Sequence, residues 1–318
     1  MKPTHHVHHY HPIAAVAAVA AGLLLAVQSR VTGEMARVVG DGVLAAFISF
    51  GTGFALLALV VVFRPASRAN LVRVLPVEVR AGRIRWWYFT AGLCGAIYVL
   101  SQALAVPLLG VALFTVVVVS GTTGVSLLVD RVGLGPGGRR AVTHRRLVGA
   151  VGTTLAVAVA VSGRFVQGEI ALWALVLAVV AGMLLGVAPA LNGLIVARIG
   201  DPFVTSATSF GAGAFALLVA LIVEHRIFGH GWVAPPTPWH SPLLWISGLL
   251  GASVVVCSVL VIKALGALLF SLLLIAGQLV GSLVCDLVAP PAGVEVGWHL
   301  VSGVVLAAIA VAFAARRR

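Results

Sequence analysis

The chain is 318 residues long, 61% apolar and only 9% charged, against roughly 45–50% and about 25% in average soluble domains. So few charges cannot coat a water-soluble globule, and disorder or coiled coil would need far more polar sequence. The net charge of +12 sits between apolar runs, where membrane topology and anionic headgroups explain it better than nucleic acid does.

A helix needs about 20 apolar residues to cross a bilayer. Ten runs meet that need, at 13–31, 43–63, 86–106, 111–129, 147–163, 170–191, 203–223, 243–262, 267–285 and 298–315. They are separated by Arg64-Pro65, the Gly/Pro cluster at 134–140, the prolines at 235–238 and Pro290-Pro291, all breakers of regular structure. Trp86, Trp87, Trp173, Trp245 and Trp298 fall near run ends, as interfacial aromatics should. The first run could pass for a signal-peptide core, but nine runs follow it and an uncleaved helix is expected. The fold expected is an all-α polytopic membrane protein with ten transmembrane helices.

With ten spans both termini share one face. That face collects 17 Lys and Arg residues, including six at 64–85 and five at 131–146; the other holds Arg30, Arg37, Arg164 and Arg226. The positive-inside rule then makes both termini cytoplasmic, in a cell (inner or plasma) membrane. Cys94, Cys257 and Cys285 lie inside apolar runs far apart in sequence, without metal-ligand spacing or a disulfide framework. The tail histidines His5, His6, His8, His9 and His11 read as a solvated tail, and no metal or cofactor is expected.

The two halves match without gaps. Residues 21–53 repeat at 181–213 with twelve identities, and 92–130 repeat at 248–286 with fourteen. Shared positions include Gly40-Asp41 with Gly200-Asp201, the Ser-Phe-Gly runs starting at Ser49 and Ser209, Gly110 with Gly266, and Asp130 with Asp286. Five helices is an odd number, so the second half must cross in the opposite sense. The expected organisation is a tail at 1–12, one five-helix repeat at 13–163, an external linker at 164–169, an inverted repeat at 170–315 and a basic tail at 316–318. Fused inverted repeats are an architecture of secondary transporters, with the site near midplane between them.

The runs WYFTAGLCGAIYV at 87–99 and PLLGVALF at 107–114, the segment 121–130, and Pro189, Asn192 and Gly277-Gln278 resemble the YdcZ-like branch of the drug/metabolite transporter superfamily. The resemblance covers nearly the whole chain beyond the tail. It implies a ten-helix 5+5 carrier exporting small metabolites or drugs. Ser29 and Thr32 stand where the second half has the more family-like Pro189 and Asn192, so the substrate does not carry over.

Polar side chains inside a bilayer are costly and default to functional candidates. Thr115, Thr122 and Ser126 fall on one face of the fourth span, and Ser271, Gln278 and Ser282 repeat that spacing on the ninth; Val117 is read as facing away from the stripe. Such a stripe suits a pathway, or hydroxyls that return to the backbone and permit close packing. Gln28, Thr32 and Asn192 on the first and sixth spans, and Tyr98, Ser101 and Gln102 on the third, add polar and aromatic contacts. Glu34, four residues after Arg30, is the carboxylate nearest the expected pathway and the candidate for proton coupling; an ordinary surface pair is the alternative.

The function expected is alternating-access export of a small organic solute, with substrate and bilayer as partners and a homodimer left open. A non-transporting scaffold or regulatory subunit is the other class. No phosphate-binding Gly-Lys-Ser/Thr loop and no His-Glu-x-x-His is present, so neither an ATPase nor an intramembrane enzyme is expected.

Overall fold

A computed structural model describes residues 12–134, 138–139, 143–167, 171–229, 234–265, 267–290 and 296–315. The His-rich tail, the basic tail at 316–318 and residues 168–169 of the expected linker lie outside the described residues, as does the side chain of Lys263. Twelve α-helices are described: α1 Pro12–Val39, α2 Gly42–Phe63, α3 Pro65–Ala69, α4 Leu75–Arg80, α5 Thr90–Val132, α6 His144–Gln167, α7 Leu172–Ile199, α8 Pro202–Phe228, α9 Pro242–Trp245, α10 Ser247–Leu265, α11 Ala267–Val288 and α12 Trp298–Ala315. Six stretches, α1, α2, Trp86–Val132, α7, α8 and most of α11, are long and apolar enough to cross a membrane, and α6, α10 and α12 contain shorter apolar helices. Their outward faces are apolar: Leu59, Val62, Val176, Phe215, Val280 and Ile309 are exposed. Exposed apolar surface of that extent belongs in lipid, and the molecule is an all-α membrane protein.

Two corners share one device. Gly40 and Gly200 adopt positive φ of 69° and 72° to end α1 and α7. The next residue, Asp41 or Asp201, caps the following helix: Val43 and Leu44 donate to Asp41, and Phe203 and Val204 to Asp201, at 2.8–3.3 Å. A left-handed glycine followed by a capping aspartate is a compact helix–helix turn, which explains why Gly-Asp is kept in both halves.

The third and fourth expected spans run together as α5, but Gly110 breaks the helical dihedrals with φ 76° and ψ 164°, three residues after Pro107. The second limb restarts at Val111, whose N–H, with that of Ala112, donates to the carboxylate of Asp286 on α11 at 2.9 and 2.8 Å. Residues of one half thus cap a helix of the other. The equivalent Gly266 lies outside the described residues.

The stretch containing α5 is the most enclosed of the six, 78% buried in its apolar window against 33–39% for the others. Val117 is consequently fully buried. Single-helix periodicity reads it as outward-facing, but α5 is wrapped on all sides by neighbours from both halves.

The closest crossings occur at matching glycines. A Cβ on Gly22 would overlap the Leu274 carbonyl, and one on Gly277 the Val19 carbonyl; Gly182 meets Val118 and Gly121 meets Val179 in the same way. The first helix of each half therefore crosses the fourth of the other at backbone contact, the packing small residues permit in membranes. Gly92 with Gly213 and Gly248 with Gly53 form a second reciprocal pair, and Phe50 and Phe210 stack at 4.7 Å between them.

Between α2 and α5 the sequence reads as a plain arginine-rich loop. The structure instead places α3, a π-helical turn Asn70–Val74 and α4 there. Leu71 and Leu75 pack with buried Ile84 against Leu57 and Phe203, and Arg64 lies 4.5 Å over the Phe203 ring. The arginines conceal a short amphipathic element with its apolar face turned inward.

Candidate functional site

On α1, Gln28, Ser29 and Thr32 occupy one face and are buried. Tyr98, Ser101 and Gln102 do the same on the first limb of α5, at the i, i+3, i+4 spacing that aligns side chains on a helix. The two faces meet: Gln102 Nε2 donates to the Ser29 hydroxyl at 2.7 Å, while Ser29 donates to the Leu25 carbonyl at 3.0 Å. Tyr98 places its hydroxyl beside Ser29, Gln102 and Gln278 of α11, none of them in hydrogen-bonding geometry with it. The Tyr98 ring is tilted against Phe114 with centroids 6.1 Å apart.

Gln28 reaches toward α10, where Gly251 makes the room: a Cβ there would stand 2.9 Å from Gln28 Nε2. One turn along α1, Thr32 donates to the Gln28 carbonyl at 2.9 Å. Its only hydroxyl hydrogen is then committed. In the 2.6 Å contact with Ser247, the serine therefore donates to Thr32, and Ser49 donates to Ser247 at 2.7 Å. A one-way hydroxyl chain, Ser49 to Ser247 to Thr32 to the α1 backbone, joins α2, α10 and α1.

That chain is satisfied; its neighbours are not. Gln28 Oε1, Tyr98 Oη, Gln102 Oε1 and Gln278 Nε2 are buried with no hydrogen-bond partner among the described residues, as are Thr115 Oγ1 and Asn192 Oδ1. An unmet buried polar atom costs about 1–3 kcal/mol. Three of them, Tyr98 Oη, Gln102 Oε1 and Gln278 Nε2, belong to side chains gathered at one place, an arrangement for contacting something other than the protein, solute or water.

The remaining candidates are used differently. Thr122 donates to the carbonyls of Val118 and Gly182, at 2.8 and 2.9 Å, across the α5–α7 crossing. Ser126 donates to the Thr122 carbonyl and Ser282 to that of Leu279, at 2.6 and 2.8 Å. Ser271 lies exposed near the start of α11. Asn192 sits half-buried three residues beyond Pro189 on α7. Glu34 pairs with Arg37, not with Arg30: Arg37 Nε donates to both carboxylate oxygens at 3.1–3.2 Å, and the arginine is 63% exposed.

Ser29, Ser49 and Ser247 are parts of this cluster that sequence reasoning does not select. A signal exists for two of them. Ser29 replaces Pro189 and Ser247 replaces Ala91 at equivalent repeat positions, so polar-for-apolar differences between the halves mark the side carrying the polar cluster.

Comparison with known proteins places the chain among transporters. A family model described as "Putative inner membrane exporter, YdcZ" matches residues 13–159 and 173–313, one stretch per half. No curated protein matches the chain. A solved crystal structure superposes with a TM-score of 0.62 at 18% identity, covering 97% of this chain and 100% of the other; at that identity the likeness is one of fold.

Proposed function

Because the chain belongs to the YdcZ inner-membrane exporter family, we propose that it is a secondary transporter of the drug/metabolite type, exporting a small organic solute by alternating access. The observation that carries this reading is the gathering of Tyr98, Gln102 and Gln278, each with an unpartnered buried polar atom. Two come from the first half and one from the second, so the site lies where the halves meet, as in inverted-repeat carriers.

Ten spans follow if α1, α2, the two limbs of α5, α6, α7, α8, α10, α11 and α12 each cross once. The reciprocal crossings of Gly22 with the Gly277 region and Gly182 with the Gly121 region support two inverted five-helix repeats, and the arginine count supports cytoplasmic termini. The pathway is assigned to Gln28, Thr32, Tyr98, Gln102, Thr115, Asn192 and Gln278. For Thr122, Ser126 and Ser282, hydrogen bonds to helix carbonyls favour a packing seam. Glu34 is left out, since Arg37 holds its carboxylate at an exposed position.

The test is flux in proteoliposomes. Gln278→Leu keeps approximate volume and removes an amide nitrogen that has no protein partner, so the fold should tolerate it. Losing one or two solute contacts worth about 1.4 kcal/mol lowers apparent affinity ten-fold. If equal amounts of folded Gln278→Leu transport like the unmodified protein, the cluster is not the pathway.

A further inference from the structure

Granting that the Tyr98 cluster is the transport site, we propose that it takes an uncharged polar solute and moves it without a coupled proton. Every side chain that presents an unmet atom there is an amide or a phenol, and the serines and threonine beside them are hydroxyls. None carries charge near neutral pH.

The positions of the charges agree. The chain has nine carboxylates: Glu34, Asp41, Glu78, Asp130, Glu169, Asp201, Glu224, Asp286 and Glu295. Those among the described residues all stand near helix ends or in the connections between helices. Of those nearest the site, Glu34 is held by Arg37, and Asp286 accepts from the N–H groups of Val111 and Ala112. Asp286 is eight residues, about 12 Å of helix, from Gln278. Arg30 is two residues from Gln28 and so points about 160° away from it around α1. Among the described side chains gathered at Tyr98, a cation would find no counter-charge, and an anion would find none either. An unpaired charge taken from water into such a place is far more costly than a hydrogen-bonded neutral group.

The donor and acceptor set then describes the ligand. The unmet atoms are the Gln102 amide oxygen, an acceptor, the Gln278 amide nitrogen, a donor, and the Tyr98 hydroxyl, which can give or take a hydrogen. The Tyr98 and Phe114 rings supply one apolar flank. That combination suits a neutral molecule with several hydroxyl, amide or heterocyclic groups and one apolar side. Since none of the lining groups titrates between about pH 5.5 and 8, no proton exchanges against this solute at this site. Flux should be electroneutral.

The probes are three fractions of a bacterial small-molecule extract, uncharged, cationic and anionic, separated by ion exchange. Each is presented to proteoliposomes of the unmodified protein, Tyr98→Phe and Gln278→Leu, and uptake is read by mass spectrometry. The expected result is uptake from the uncharged fraction alone, about ten-fold lower in both variants and unchanged by membrane potential of either sign or between pH 5.5 and 7.5. Uptake from a charged fraction that both variants lose would leave the transport reading standing and overturn the uncharged class. Dependence of neutral uptake on an imposed pH gradient would overturn the uncoupled mechanism. Equal uptake by all three proteins from every fraction would sink the site itself, and this inference with it. Thermal melting of both variants alongside the unmodified protein separates loss of function from loss of fold.

Discussion

Removing a hydroxyl from a protein interior usually destabilises it, because a partner is left stranded; at Tyr98 the opposite sign is expected. Its Oη is buried and bonded to nothing among the described residues, so Tyr98→Phe strands no one there and removes an unmet group. Stability should stay level or rise by roughly 1 kcal/mol, read as an unchanged or higher melting temperature. Transport should fall about two- to ten-fold, the worth of one hydrogen bond to solute. A variant that melts earlier and transports normally would mean that the hydroxyl is structural. At this scale the site was legible where a large polar group interrupts an apolar run, as Tyr98, Gln102, Gln28 and Gln278 do. Serines were harder, because a helical serine ordinarily returns its hydroxyl to its own backbone. Ser29 does that toward Leu25 and still accepts from Gln102, a second role that only the neighbouring helix reveals. Thr122 shows the converse: a conspicuous stripe position whose hydroxyl is occupied by two carbonyls.

Between single residues and the whole bundle stand the devices that start and stop helices. Asp286 caps the second limb of α5 from across the repeat boundary. Asp286→Ala should leave two buried N–H groups without that acceptor, at about 1–3 kcal/mol each; Asp286→Asn, which keeps one oxygen, should fall between. The measurement is melting in detergent, and an alanine variant that melts with the unmodified protein would show that the restart at Val111 does not need the carboxylate. Asp201 works in the loop between α7 and α8. Burial pushes its carboxyl up, but the Asn70 side chain and the N–H groups of Phe203 and Val204, which donate to it, together hold it below the usual carboxylate range. A lowered folded pKa means that the stabilisation is complete above the unfolded value, near 3.9, and is lost as pH falls through the folded one. Acidification should therefore loosen the α3–α4 segment that Asn70 ties to Asp201, seen as faster hydrogen exchange over residues 65–80. The Glu78 carboxyl, held low by the Arg83 guanidinium, adds a step of the same sign, so the quantity to compare is the difference from Asp201→Asn. That variant should exchange faster at neutral pH and show a smaller acid step; identical profiles would remove Asp201 from the clamp. The Gly-Asp corners were visible in the sequence as a repeated dipeptide, whereas the α3–α4 element was not, because its prolines and arginines mask a short apolar face.

At the scale of the whole molecule, the apolar runs and the repeat were readable because bilayer thickness fixes helix length and duplication leaves matching glycines. Helix ends were less so: α1 continues to Val39 and α6 to Gln167, past the ends of the expected runs at 31 and 163, since backbone hydrogen bonds persist beyond the hydrocarbon boundary. Which helices cross was not readable at all, being set by contacts between segments up to about 250 residues apart, such as Val19 with Gly277. Orientation rests on charge alone. Six arginines stand between residues 64 and 85, whereas the corresponding segment of the second half, 224–241, has only Glu224, Arg226 and His residues as titratable groups. On the proposed topology, the positive-inside rule would keep the first loop cytoplasmic and inversion would send the second outside. After replacement of Cys94, Cys257 and Cys285, single cysteines at Arg80 and at Trp239 should report this with an impermeant thiol reagent. Both positions are exposed, Trp239 at 89%, so access is not limited by packing. Trp239→Cys should label in intact cells and Arg80→Cys only after permeabilisation. The reverse pattern would invert the protein in the membrane, and labelling of both from outside would break the odd number of crossings between them on which the inverted repeat depends.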